Sequence, residues 1–204
     1  MLATPQWPTV GRYNRTPYHN GADGLVQRVP QKEKDERGRM WSTQLNIETG
    51  YLGKNVWKTG FGLDFDYWRL GIGSDLDWLV EGRFRDAMYL GSTNARITVI
   101  MRPRMRVRVG GGAQYMIDGR TPGQGHREYA TGPNITADIE IFPVQPFTVS
   151  ARVDYGTLYK APSALAQVTV GAVFRGVQVY AGYEYRRVGD VAMQGPLAGI
   201  RVWF

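Results

Sequence analysis

The last ten residues, Gly195-Pro196-Leu197-Ala198-Gly199-Ile200-Arg201-Val202-Trp203-Phe204, alternate in pairs up to an aromatic end. Ile200, Val202 and Phe204 are apolar and Arg201 lies between them, so in an extended strand the two kinds of side chain face opposite ways. Such an ending reads as the closing strand of a barrel that spans a membrane rather than as an edge fraying into water.

Working back from this segment, the same period of two runs to Met40. Phe61, Leu63, Phe65 and Tyr67 share one face, followed by Leu70, Ile72, Leu76, Trp78 and Val80, while Lys58, Asp64, Asp66, Asp75, Asp77 and Glu81 occupy the other. Later, Met105, Val107 and Val109 alternate with Arg104, Arg106 and Arg108, and Ile135, Ala137, Ile139 and Ile141 with Asn134, Thr136, Asp138 and Glu140. Val149 to Tyr155 oppose Arg152 and Asp154, and Val177 to Tyr185 oppose Glu184 and Arg186. Ten strands follow, at 41–51, 56–67, 70–80, 88–101, 104–116, 130–141, 147–156, 165–174, 177–187 and 195–204. They match the roughly 9–11 residues of a tilted membrane strand. Without the break at Tyr67-Trp68-Arg69 the count falls toward eight or nine.

Alternation alone also describes an antiparallel sheet with one wet side. The connections favour the membrane: short links at 102–104, 142–146 and 175–176 alternate with longer polar ones around 81–88, 117–129, 157–164 and 187–194. The fold predicted is an all-β, closed antiparallel transmembrane barrel over residues 40–204, with both termini at the short-turn, periplasmic end. Trp41, Trp57, Trp68, Trp78, Tyr89, Tyr115, Phe142, Phe147, Tyr155, Phe174, Tyr185 and Phe204 fall near strand ends or on the outward face. Amphipathic rings there suit the two headgroup regions, and Trp41, Trp57, Trp78, Tyr115, Phe147 and Phe204 are the candidate interface residues. A soluble barrel would leave this two-ended distribution without an explanation.

Residues 1–39 differ: four prolines, several glycines and the charged run through Arg39 read as an irregular arm or plug, with room for a short helix over 31–37. No basic segment followed by an apolar one marks an export signal, so an exported protein is expected here in its mature form. There is no cysteine, and no apolar run approaches the roughly 18 residues of a membrane helix. The net charge of +7 is not gathered into a nucleic-acid stripe: Lys32, Lys34, Arg37 and Arg39 are interspersed with Glu33, Asp35 and Glu36, and later arginines sit singly in strands.

If the apolar face meets lipid, the charged face lines the lumen, where desolvated charges need partners. The predicted ion-pair network is Lys58, Asp64, Asp66, Asp75, Asp77, Asp138, Glu140, Arg152, Asp154, Glu184 and Arg201, with Asp138 opposite Arg152. The functional alternative is a narrow polar pathway or ligand site in which Arg104, Arg106 and Arg108 receive an anion. Gly60, Gly62, Gly71, Gly73 and Gly110–Gly112 lack the lysine and helix of a phosphate loop and read as space for large inward side chains. His126 and Glu128 lie near Ser92 in the predicted topology, yet nothing in the spacing brings a nucleophile within reach. His126 is read as a solvated loop residue, and no catalytic residue, metal or cofactor is expected. Arg127, Lys160, Arg186, Arg187 and Asp190 are candidate rim contacts.

The ending at Ile200, Val202, Trp203 and Phe204 resembles that of bacterial outer-membrane β-barrel proteins. That resemblance implies recognition by the barrel-assembly machinery and residence in the outer membrane. A narrower resemblance, to uncharacterised predicted outer-membrane proteins of planctomycete-like bacteria, rests on Phe142-Pro143, Asp154-Tyr155-Gly156-Thr157-Leu158, Gly182-Tyr183-Glu184-Tyr185 and Gly195 to Phe204, and implies no defined activity. The expectation is a barrel with a structural or envelope-interaction role, contacting a partner through the arm or the long loops. The alternatives are a narrow transporter or ligand-binding barrel, then a membrane hydrolase or a soluble ligand-binding barrel.

Overall fold

The computed structural model describes residues 12–18, 23–27, 39–53, 55–82, 86–119 and 129–204. Two short strands, β1 (Arg12–Tyr13) and β2 (Val26–Gln27), pair with each other. Ten long ones follow: β3 (Trp41–Tyr51), β4 (Val56–Tyr67), β5 (Leu70–Glu81), β6 (Asp86–Arg102), β7 (Met105–Gly119), β8 (Tyr129–Ile141), β9 (Phe147–Leu158), β10 (Ala161–Phe174), β11 (Val177–Val188) and β12 (Val191–Trp203). Each pairs antiparallel with its sequence neighbours, and β12 pairs with β3, closing a ten-stranded barrel. The break read after Tyr67 is a two-residue turn, Trp68-Arg69, with Trp68 at φ 54°. The closing seam is short: it runs from Leu197–Gly50 to Trp203–Gln44, seven residue pairs, against twelve between β4 and β5.

Loop lengths depart from the expectation. The links read as long around 157–164 and 187–194 are the two-residue turns Tyr159-Lys160 and Gly189-Asp190. The flanking residues continue the ladder, with Ser163 opposite Gly156 and Gln194 opposite Tyr185. Polar residues on strands that overshoot an apolar belt look like loop to a reader of hydropathy, because beyond the lipid both faces of a strand can be wet. The 120–128 link, with His126, Arg127 and Glu128, lies outside the described residues, as does the helix considered at 31–37.

Parity sorts the two faces. Phe61, Leu63, Ile72, Val153, Val168, Val179 and Ile200 are each about half exposed on the outside, while the alternate positions are buried or half-buried. In β6 the register shifts between Thr98 and Ile100, so Val99 and Ile100 both face outward. An apolar exterior continuous around a barrel far exceeds the patches soluble monomers expose, and its solvent is lipid. Aromatic rings mark both ends of that belt. Trp41, Trp68, Phe147, Phe174 and Phe204 are exposed at the terminal end, where β3 begins and β12 finishes. At the opposite end, Trp57 packs against Tyr51 and Trp78 stacks on Tyr89. Tyr115 lies against the outer wall over Gly91, where a β-carbon would collide with its ring.

Candidate functional site

The interior is an ion-paired lumen with an apolar cluster at each end. The first charged group lies toward the terminal end. Arg106, wholly buried, donates from Nε and Nη2 to Glu140 Oε2 at 3.0 and 2.6 Å and from Nη1 to Asp66 Oδ2 at 2.7 Å. Arg108 donates to the same Asp66 oxygen at 2.9 Å and to Asp138 at 2.8 Å. Arg96 pairs with Asp64 and Asp138, and Arg201 reaches Glu140 at 3.5 Å. Strand pairing places Arg106 beside Glu140 and Arg108 beside Asp138, whereas Asp64 and Asp66 reach these arginines from β4.

Toward the opposite end, Lys58 Nζ lies 2.5 Å from both Glu48 Oε1 and Glu184 Oε2 and 3.3 Å from Asp77. Arg186, on β11, also bonds Asp77 and Glu184. Between the two groups, Arg152 pairs with Asp75 at 2.7 Å and Asp154 at 2.8 Å. Seven basic side chains and nine carboxylates thus meet inside the described barrel, and the excess of carboxylates falls in the groups of Lys58 and Arg152.

The inward glycines make room for these groups. A β-carbon on Gly71 would overlap Asp66, one on Gly60 would crowd Asp77, and one on Gly73 would overlap the Arg96 guanidinium. Gly73→Val is therefore expected to push Arg96 off Asp64 and lower stability by about 1–3 kcal/mol, the usual range for overpacking. Urea titration of the protein folded in phospholipid vesicles measures this, and an unchanged midpoint would show that Arg96 has other room.

At the terminal end the lumen is capped by Tyr13, Tyr18, Leu25, Val26, Phe142, Val173 and Trp203. Tyr13 OH donates to Trp68 O at 2.8 Å and Tyr18 OH to Phe147 O at 2.5 Å, so the β1–β2 segment is tied to two turns of the barrel. Burial pushes the Tyr18 phenol up to about 12, so it remains a donor well into the alkaline range. Phe142 belongs to this cap rather than to the lipid belt: it meets Tyr18 and Trp203 edge to ring. Its parity with Glu140 had pointed inward. The opposite cap is Leu52, Leu79, Leu90, Leu158 and Met193, apolar residues on the otherwise polar inner face.

Between the caps lies a cavity of about 110 Å³, lined by Asp75, Ser92, Gln114, Asn134, Arg152 and Gln167 among others. Both amide atoms of Asn134 and Nε2 of Gln114 have no hydrogen-bond partner among the described residues. Arg104 lies apart from Arg106 and Arg108, exposed on a turn and paired with Asp23 at 2.9 Å. Arg186, read from sequence as a rim contact, is buried in the lumen because it shares parity with Glu184. Sequence reading left Arg96 and Glu48 out of the network, although each shares parity with polar neighbours, Asn94 and Asn46.

A closed, even-stranded antiparallel barrel with a lipid-facing apolar wall, two aromatic girdles and a polar interior defines its class: a multi-pass β-barrel of the bacterial outer membrane. No protein-family model and no curated protein matches the chain. Among solved structures it is similar to the N-terminal β-barrel domain of Pseudomonas aeruginosa OprF, at 12% identity over 80% of this chain and 97% of that one, with a TM-score of 0.45. It is similar also to the NanC porin (10% identity, 78% and 98% covered, TM-score 0.48) and to the outer-membrane protease OmpT of Escherichia coli (11%, 81% and 94%, 0.40). These similarities are too distant to carry an activity to this chain.

Proposed function

We propose that this protein is an occluded outer-membrane barrel that serves as a structural and interaction element of the envelope rather than as a general diffusion channel. The observation that carries the reading is the sequence of obstacles along the axis: an apolar cap, two cross-lumen charge groups and a second apolar cap. The β1–β2 segment acts as a plug, residues 1–39 and the loops offer the partner contacts, and Ile200, Val202 and Phe204 serve the assembly machinery. The narrower resemblance to planctomycete-like proteins is compatible with this role and adds no activity. Recording from the purified protein in planar bilayers tests the proposal. No large, stable conductance is expected, and a robust open pore would overturn it.

A second reading is a narrow transporter or small-ligand barrel. It draws support from the cavity and from the unpartnered amides of Gln114 and Asn134, which suit a polar solute. In that case the plug is a gate. Removal of residues 1–39 should then produce solute uptake in liposomes, whereas the occluded barrel stays tight because the charge groups and the second cap remain.

A further inference from the structure

Among the described residues outside the lumen, positive charge is concentrated at the terminal end. The described lumen holds more carboxylates than cations, so its described side chains contribute none of the net +7 of the chain. At the terminal end Arg39, Arg69, Arg102, Arg104 and Arg175 stand on or beside the turns, and Arg12 and Arg15 on the capping segment add to them. Among the described residues there, Asp23 is the only acidic side chain, and it is paired with Arg104. Arg15, Arg102 and Arg175 are exposed and make no ion pair with a described carboxylate. Neither the lumen network nor the cap employs them.

Their placement indicates what they meet. Arg69 follows the exposed Trp68, Arg175 follows the exposed Phe174, and the Arg39 guanidinium lies over the Trp41 ring, 4.7 Å from its centroid. Aromatic belts mark the headgroup level of a bilayer, so these guanidinium groups stand at or just beyond it. They are also dispersed: four of the five positions around this rim carry one, at the start of β3 and at the β4–β5, β6–β7 and β10–β11 turns, while the β8–β9 turn carries none. A compact ligand touches one or two such sites, whereas a bilayer surface touches all of them. A guanidinium presents paired donors that match phosphate oxygens.

We propose that this arginine rim binds the anionic phospholipid headgroups of the leaflet at the terminal end, holding a shell of acidic lipid around the barrel. The inference requires a membrane-spanning barrel and is independent of whether the lumen conducts. The test uses the full chain in phosphatidylcholine vesicles with trace spin-labelled phosphatidylglycerol or spin-labelled phosphatidylcholine, reading the motionally restricted fraction of each. A basic residue near an anionic surface changes partition by about fivefold, so a preference of roughly that size for phosphatidylglycerol is expected. It should fall to near parity in R69Q/R102Q/R175Q and persist in R69K/R102K/R175K.

Neutralising the opposite rim with K160Q/R187Q should leave the preference in place. Parity in the parent protein overturns the proposal, as does a preference that survives the triple glutamine change or vanishes with the opposite-rim one. Displacement of the lipid by millimolar inorganic phosphate would identify a free-anion site instead and overturn it equally. So would capture by an anionic cell-wall polymer that phosphatidylglycerol vesicles fail to compete. Should the glutamine variant not insert, ionic strength supplies the same test on the parent, since the preference must weaken as salt screens the rim.

Discussion

Lys58→Met is expected to cost the barrel about 3–5 kcal/mol, the range for removing one partner from a buried charge group. Lys58 is only 2% exposed and contacts three carboxylates, Glu48, Glu184 and Asp77. Arg186 still neutralises Asp77 and Glu184 after the change. Glu48 does not share that support: its remaining partners are the neutral Tyr180 hydroxyl at 2.9 Å and the Gln167 amide at 3.0 Å. The penalty should therefore concentrate on Glu48, and adding Glu48→Gln to Lys58→Met should recover a large part of the loss. Reversible urea unfolding in vesicles gives both numbers. A single-variant cost under about 1 kcal/mol would mean that water or rearrangement serves these carboxylates as well as the ammonium does.

Arg106→Met follows closely, at about 2–4 kcal/mol, lower because Arg108 and Arg201 remain near Asp66 and Glu140. Its second effect lies at the plug. The Arg106 guanidinium sits 6.0 Å from the Tyr13 ring centroid and 5.9 Å from that of Trp203, so it forms the charged floor on which the terminal cap rests. Losing it should loosen the β1–β2 segment before the barrel unfolds, and tryptic cleavage after Arg15 should accelerate in the variant while the strands stay protected. Arg106→Lys keeps the charge but loses the fork that bridges Asp66 and Glu140, and should fall between parent and methionine. Cleavage at the parental rate in Arg106→Met would separate the plug from the charge group beneath it.

How far these groups were legible in the sequence depends on distance along the sheet. Parity placed Phe61, Asp64 and Asp66 on their correct faces, and it placed Asp138 opposite Arg152, which the register of β8 and β9 reproduces. Partner choice across the lumen was not legible. Arg152 on β9 pairs with Asp75 on β5, and Asp138 on β8 with Arg96 on β6, because barrel diameter and stagger determine which side chains of non-adjacent strands meet in the middle. The caps left a fainter mark. Leu79 follows Asp77 by two, Leu90 precedes Ser92 by two and Trp203 follows Arg201 by two, each an apolar residue on a polar face. Such breaks of parity at strand ends are what a closed lumen looks like in one dimension, and reading Phe142 by ring type rather than by parity put it on the wrong side of the wall.

The seam between β3 and β12 has a consequence for how the protein forms. Nine of the ten pairings in the barrel join strands adjacent in the chain, so each can zip from its own turn at little loss of chain freedom. The tenth must bring Gln44 to Trp203 across the whole sequence, and it offers seven pairs in return. Assembly is thus a quick succession of hairpins ending in one slow search, and until that search succeeds β3 and β12 are open edges.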